Sequence, residues 1–244
     1  MQESTSKKLQ EIAENIPKAY EAGIAEGKKA EYDAFWDTFQ QNGDRDNYYR
    51  CFYGEGWTNE NLKPKYDIVP DKKSNNTSSG TNMFTNMSKF YGSLKDVFDR
   101  RGVKLDTSYI REPSGMFDGA TNVTEVPHID ISSSRTNASA LFYGTSITKV
   151  TVTLPDRDLK FTNCFRASKL EEVEITGVLR GTDISFQWSP NLTHESLVHI
   201  LNVLGDKSTD TSGTAWIITL GSTNKAKLTE EELNIAYNKG WEVQ

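Results

Sequence analysis

The sequence predicts an α/β fold: a short right-handed solenoid of stacked repeats with short parallel strands, an N-terminal helix and a cap at each end. Three observations predict it. A phenylalanine recurs in similar local strings, MFTNM, MFDGA, LFYGT and CFRAS, at Phe84, Phe117, Phe142 and Phe165. An aliphatic residue follows the last three, at Val123, Ile147 and Leu170, and leads into the β-like runs TEVPHIDI, TKVTVTL and EEVEITG. The totals suit a thin body: 36% of the 244 residues are hydrophobic and the mean hydropathy is -0.62. A structure only a few side chains deep leaves that much surface per residue.

The chain divides into four stretches. Residues 1–42 carry Leu9, Ile12, Ile16, Tyr20 and Ile24 at helical spacing, resumed by Ala34, Phe35 and Phe39, which predicts an amphipathic helix over 5–41. Pro17 ends or kinks an early turn, or starts a second helix. Gly23 and Gly27 each cost about 1 kcal/mol relative to alanine. This helix either packs on the next segment or serves as a docking arm, making residues 5–41 the candidate homo-oligomer interface.

Residues 43–83 are rich in aromatics and turns: Tyr48, Tyr49, Phe52, Tyr53, Trp57 and Tyr66, with Gly54, Gly56 and Pro64 between them. A stack of repeats exposes a core edge at its first unit, and large aromatics cover such an edge, so this stretch reads as an N-terminal cap. A sugar-stacking platform is the alternative. The run DKKSNNTSSGTN at 71–82 has no apolar residue and reads as a loop.

Residues 84–190 hold the repeats. One unit cannot bury its own apolar face, but stacked units make a continuous ladder. The expected ladder is Phe84, Phe117, Val123, Val126, Phe142, Ile147, Val150, Phe165, Leu170 and Val173. LDTS at 105–108 is matched by IDIS at 129–132, and this period of about 24 falls within the leucine-rich-repeat range. In the strands, alternation turns Val150, Val152, Val173 and Ile175 inward. It turns Glu125, His128, Lys149, Thr151, Thr153, Glu172, Glu174 and Thr176 outward, as either a candidate binding face or a solvated one.

Residues 191–244 read as the closing cap. Thr193 can cap a helix with Leu197, Ile200, Leu201 and Leu204 on one face. A strand is expected at 215–220. Thr229 with Glu232 forms a capping box for a helix carrying Leu233, Ala236 and Tyr237. Gly240 ends that helix and Trp241 with Val243 offers a last strand.

Several chemistries are expected to be absent. A net charge of -6, with no basic stripe, argues against nucleic acid. No run approaches the roughly 18 apolar residues of a membrane span. The N-terminal MQESTSKKLQEIAEN has no apolar core, so no secretion signal is expected. Cys51 and Cys164 are too few for a disulfide framework, and His128, His194 and His199 show no metal spacing. GSTNKAK at 221–227 is not a phosphate loop. The expectation is therefore a chain without cofactor or metal that is not an enzyme. A glycan hydrolase using two carboxylates is the remote alternative.

The string LDTSYIREPSGMFDGATNVTEVPHIDIS resembles the BspA-like leucine-rich repeats at Leu105, Asp106, Thr107, Ser108, Met116, Phe117, Gly119, Val123, Val126 and Pro127. A second match runs through Ile129, Asp130, Ser132, Leu141, Phe142, Tyr143, Gly144, Ile147 and Val150. The chain departs from that pattern at Ala120 and Thr145, where the family usually has cysteine. The flanks, EYDAFWDTFQ, YRCFYGEGW, QWSPNLTHESL and KLTEEELNIAYNKGW, resemble leucine-rich-repeat or tail-associated structural proteins of tailed phages and prophages of gut Firmicutes. The resemblance implies a virion component, cytoplasmic in the producing cell before assembly, that binds a protein or cell-surface glycan. A bacterial surface adhesin or interaction scaffold is the alternative it leaves.

Overall fold

The chain divides into two compact units, Met1–Gly43 and Asp44–Gln244. The computed structural model describes residues 50–65, 67–69 and 79–244, all of them in the second unit. The helix expected over 5–41, Tyr48, Tyr49, Tyr66 and most of the 71–82 loop lie outside these residues.

The fold is mixed α/β, with mostly parallel short strands and few helices. In chain order the described elements are β1 (Gly92–Ser93), α1 (Leu94–Arg101), β2 (Val123–Glu125), β3 (Ile129–Asp130), β4 (Lys149–Thr153), β5 (Leu159–Lys160), β6 (Glu172–Thr176), β7 (Gly181–Thr182) and β8 (Ile184–Ser185). Then come α2 (His194–Val203), β9 (Trp216–Thr219), α3 (Ser222–Lys225), α4 (Glu230–Asn238) and β10 (Trp241–Val243).

Strand β1 pairs with β2, β2 and β3 both pair with β4, and β4 pairs with β6 over its full length. The run 123–130 is split where Pro127, lacking an amide hydrogen, interrupts it. A second pair joins β5 to β7, and a third sheet has the order β10-β9-β8. All these pairings, and the four isolated bridges among the described residues, are parallel.

The core is organised around phenylalanine rings. Phe52, Phe84, Phe117, Phe142, Phe165 and Phe186 are all buried. Their centroids are separated in turn by 5.0, 5.3, 5.9, 6.2 and 4.7 Å. Four of these five contacts are stacked, and the one between Phe142 and Phe165 is tilted by 33°. Each such contact adds about 0.5–1.5 kcal/mol to the area the ring buries. Backbone bonds follow the rings: the amides of Phe52, Phe84, Phe117 and Phe142 donate to the carbonyls of Met83, Met116, Leu141 and Cys164. Trp57 closes the stack edge-on at 5.3 Å from Phe52.

The turns that hold these rings share a backbone signature. The residue two before the ring has positive φ at Arg50, Asn82, Gly115, Ala140 and Asn163. The residue two after has it at Gly54, Asn86, Gly119 and Gly144. At Phe52, Phe84, Phe117 and Phe142 a left-handed residue on each side bends the chain sharply enough to point the ring inward and carry the backbone away again, whereas Phe165 has one only before it and Phe186 has neither.

The repeat pattern does not predict helix α1. Ser93 caps it by accepting from the Asp96 amide, Leu94, Val97 and Phe98 are its buried face, and Gly102 ends it at φ 63. It occupies the extra residues between Phe84 and Phe117, whose spacing exceeds that of the later rings. The C-terminal elements follow their capping signals: Thr193 accepts from the Ser196 amide at the start of α2, and Thr229 with Glu232 makes the full capping box of α4.

Candidate functional site

The outward row of β2, β4 and β6 is held by register. Glu125 lies opposite Lys149, and Lys149, Thr151 and Thr153 lie opposite Glu172, Glu174 and Thr176. Neighbouring side chains on one face of a sheet interact across the strands, so the row becomes a polar chain. The Ser93 hydroxyl donates to Glu125 at 2.9 Å. Lys149 Nζ meets Glu172 Oε2 at 2.8 Å with both side chains 53% exposed. Thr151 Oγ1 contacts Glu174 at 3.4 Å, and His128 Nε2 meets Thr153 Oγ1 at 2.9 Å. His128, Lys149, Glu172, Glu174 and Thr176 are exposed, while Glu125, Thr151 and Thr153 are half-buried.

The inward partners Val150, Val152, Val173 and Ile175 are at most 3% exposed. Val123, Val126, Ile147 and Leu170 are buried with them. The row is thus backed by a close-packed layer, which fixes its geometry. The Lys149 ammonium is held above its usual pKa range by its hydrogen bond and charge contact with Glu172.

Helix α2 borders this row along β6. The Ser196 hydroxyl accepts from the Val173 amide at 3.1 Å, and His199 Nε2 accepts from the Ile175 amide at 2.9 Å. Amides that would otherwise invite another strand are therefore met by helix side chains. A shallow notch of about 360 Å³ lies between helix and sheet, lined among others by Lys149, Glu172, Glu174, Glu195, Ser196 and His199.

A second surface feature goes beyond what the sequence pattern predicts. The Arg166 guanidinium carbon stands 5.1 Å from the Tyr143 ring centroid and 4.9 Å from that of Trp188. Trp188 is 53% exposed. Its trace in the sequence is the residue after each phenylalanine, Tyr143 and Arg166, together with Trp188 two after Phe186. Spacing alone does not reveal that the arginine lies over both rings.

The other groups capable of chemistry lie apart from both surfaces. Cys164 is buried, and burial pushes its thiol far up, which suits an inert core group. Cys51 is half-buried. His194 pairs with Glu232 at 2.8 Å. Among the described residues no group of three or more His, Cys, Asp or Glu could hold a metal ion, and no helix is long and apolar enough to cross a membrane. No family model, curated protein or solved structure matches this chain.

Proposed function

We propose that this chain is a non-enzymatic binding or assembly module: a short leucine-rich-repeat-like solenoid whose outward strand row meets a protein or cell-surface glycan. The observation that carries this reading is the ring stack with parallel strands in register beside it. Successive segments each contribute one phenylalanine and one short strand, which is what stacked repeats of about 24 residues would do. Such an architecture places outward side chains of neighbouring repeats in fixed rows, a surface suited to binding. The sequence resemblance to tail-associated proteins gives the module its setting, a tailed-phage virion, where residues 5–41 would serve as the docking or oligomerising arm.

The test is retention of the full chain on isolated bacterial cell walls, with Lys149→Glu, Glu172→Lys and the double exchange compared. Each single change breaks the ion pair, whereas the double exchange restores it with reversed polarity. Loss of retention in all three is the expected outcome, because a partner reads the polarity of the row. Retention unchanged in all three would overturn the role given to this face. Sedimentation of the full chain tests the arm: a monomer at all concentrations would remove the oligomer from the reading.

A further inference from the structure

We propose that Tyr143, Arg166 and Trp188 form a binding site for an acidic glycan, with Arg166 taking the carboxylate of a uronate-type sugar. The proposal takes its biological setting from the binding-module reading, but its geometry belongs to a different surface from the strand row.

The Arg166 guanidinium carbon lies over the Tyr143 ring at 5.1 Å and over the Trp188 ring at 4.9 Å, so two aromatic rings hold its charge in place. Among the described residues no carboxylate lies within ion-pair distance of it, unlike Arg180, which is held by Asp156 and Asp158. A planar, always-charged fork with open donors recognises a carboxylate through two parallel hydrogen bonds.

The site is also built to be rigid. The buried Ser189 hydroxyl donates to the Phe165 carbonyl at 2.5 Å and accepts from the Ala167 amide at 3.2 Å. It therefore grips the backbone on both sides of Arg166. The buried Asn224 side chain donates to the carbonyls of Phe186 and Ser189, which bracket Trp188. Two fully buried polar side chains thus fix the turns that display the arginine and a tryptophan more than half exposed. Pre-organisation of this kind lowers the entropy lost on binding.

Sugar is favoured over peptide by what the site offers. The amides of Phe142, Tyr143, Gly144, Arg166 and Ala167 are all bonded within the protein, so these five do not pair with a peptide main chain. The side chains offer aromatic surface for the C–H face of a pyranose ring and a charged fork for its carboxylate.

The experiment is titration calorimetry of the full chain with a galacturonate hexamer, its methyl-esterified counterpart and an acidic glutamate peptide. Arg166→Met, Trp188→Ala and Lys104→Glu are run alongside, with thermal melts to show that each variant is folded. The acid hexamer is expected to bind, the ester about tenfold more weakly or worse, and Arg166→Met and Trp188→Ala to lose about tenfold each, as for a charge-assisted pair beside a stacking ring. Lys104→Glu, at an exposed position belonging to neither surface, is expected to leave hexamer binding unchanged. Equal binding of the ester, full binding by Arg166→Met, or equal binding of the glutamate peptide would each overturn the proposal. Absence of hexamer binding by a chain still retained on cell walls would remove this site and leave the binding role of the strand row standing; hexamer binding without wall retention would keep this site and remove the role given to the strand row.

Discussion

Ala140 sits at φ 55, the left-handed position that Arg50, Asn82, Gly115 and Asn163 fill in the other turns. Alanine gains nothing there: its Cβ crowds the following carbonyl, and it has no polar side chain with which to bond locally. Ala140→Gly is therefore expected to raise stability by about 1 kcal/mol, even though it removes a methyl group. A denaturant midpoint that falls instead would show that the Ala140 methyl packs well enough to outweigh its backbone strain. Asp158 is a second residue whose surroundings decide its role. Burial alone would push its carboxyl up, but hydrogen bonds from Arg180 and Lys207 hold it below its usual range. Its stabilising effect is then present above the pKa of the unfolded chain and is lost as pH falls through the lower folded value. Lys207 depends on it, since the lysine side chain is only 8% exposed and its ammonium also lies 3.6 Å from the Trp216 ring centroid. Asp158→Asn is expected to cost about 1–2 kcal/mol by removing the carboxylate paired with that ammonium, less than for a fully buried pair because solvent screens the half-exposed carboxylate and Asp210 lies close enough to share the charge. A melt of the variant at neutral pH checks this, and the deficit should shrink toward acid.

Among the elements, β6 and α2 show how a parallel sheet is brought to an end. Strand β6 faces β4 on one side, and on the other its Val173 and Ile175 amides are met by Ser196 and His199. Ser196→Ala would leave a buried amide without an acceptor, at a cost of about 1–2 kcal/mol. Hydrogen exchange at Val173 should accelerate in this variant; unchanged protection would mean that another group or water takes over. The two partners of this arrangement are unequally legible in the sequence. Strands β4 and β6 can be read because Val150, Val152, Val173 and Ile175 alternate with polar residues, and α2 because Thr193 precedes a leucine stripe. That α2 stands where another strand could pair, offering hydroxyl and imidazole to the edge, depends on packing that no local pattern encodes. Helix α1 carries its own signals in Ser93, Leu94, Val97, Phe98 and Gly102, but it is an insertion within the phenylalanine period, and the period masks it. The two-residue strands β5, β7 and β8 are too short to show any period. In the candidate site, alternation is enough to place Lys149 and Glu172 outward, but their ion pair requires the register. The cluster of Tyr143, Arg166 and Trp188 requires three turns to lie side by side.

At the scale of the whole second unit, the ring stack sets how stability is shared. Phe117 touches Phe84 on one side and Phe142 on the other, at 5.3 and 5.9 Å. The turn amides on either side are bonded to the next segment in the same order. On the solenoid reading, each repeat is stabilised chiefly by its two neighbours, so a defect in the middle should weaken the coupling between the two ends as well as the local packing. Phe117→Ala removes a fully buried ring and is expected to cost about 3–5 kcal/mol. The loss should be uneven. Amides on the N-terminal side of the defect, such as that of Phe84, lose the layer that supports them. Amides of Val152 and Val173 keep the β4–β6 pairing and α2. Hydrogen exchange resolved by residue should therefore show protection falling much further at Phe84 than at Val173. Equal loss at both would mean that the unit unfolds as one globular body, and would count against stacked repeats as the organising principle of the fold.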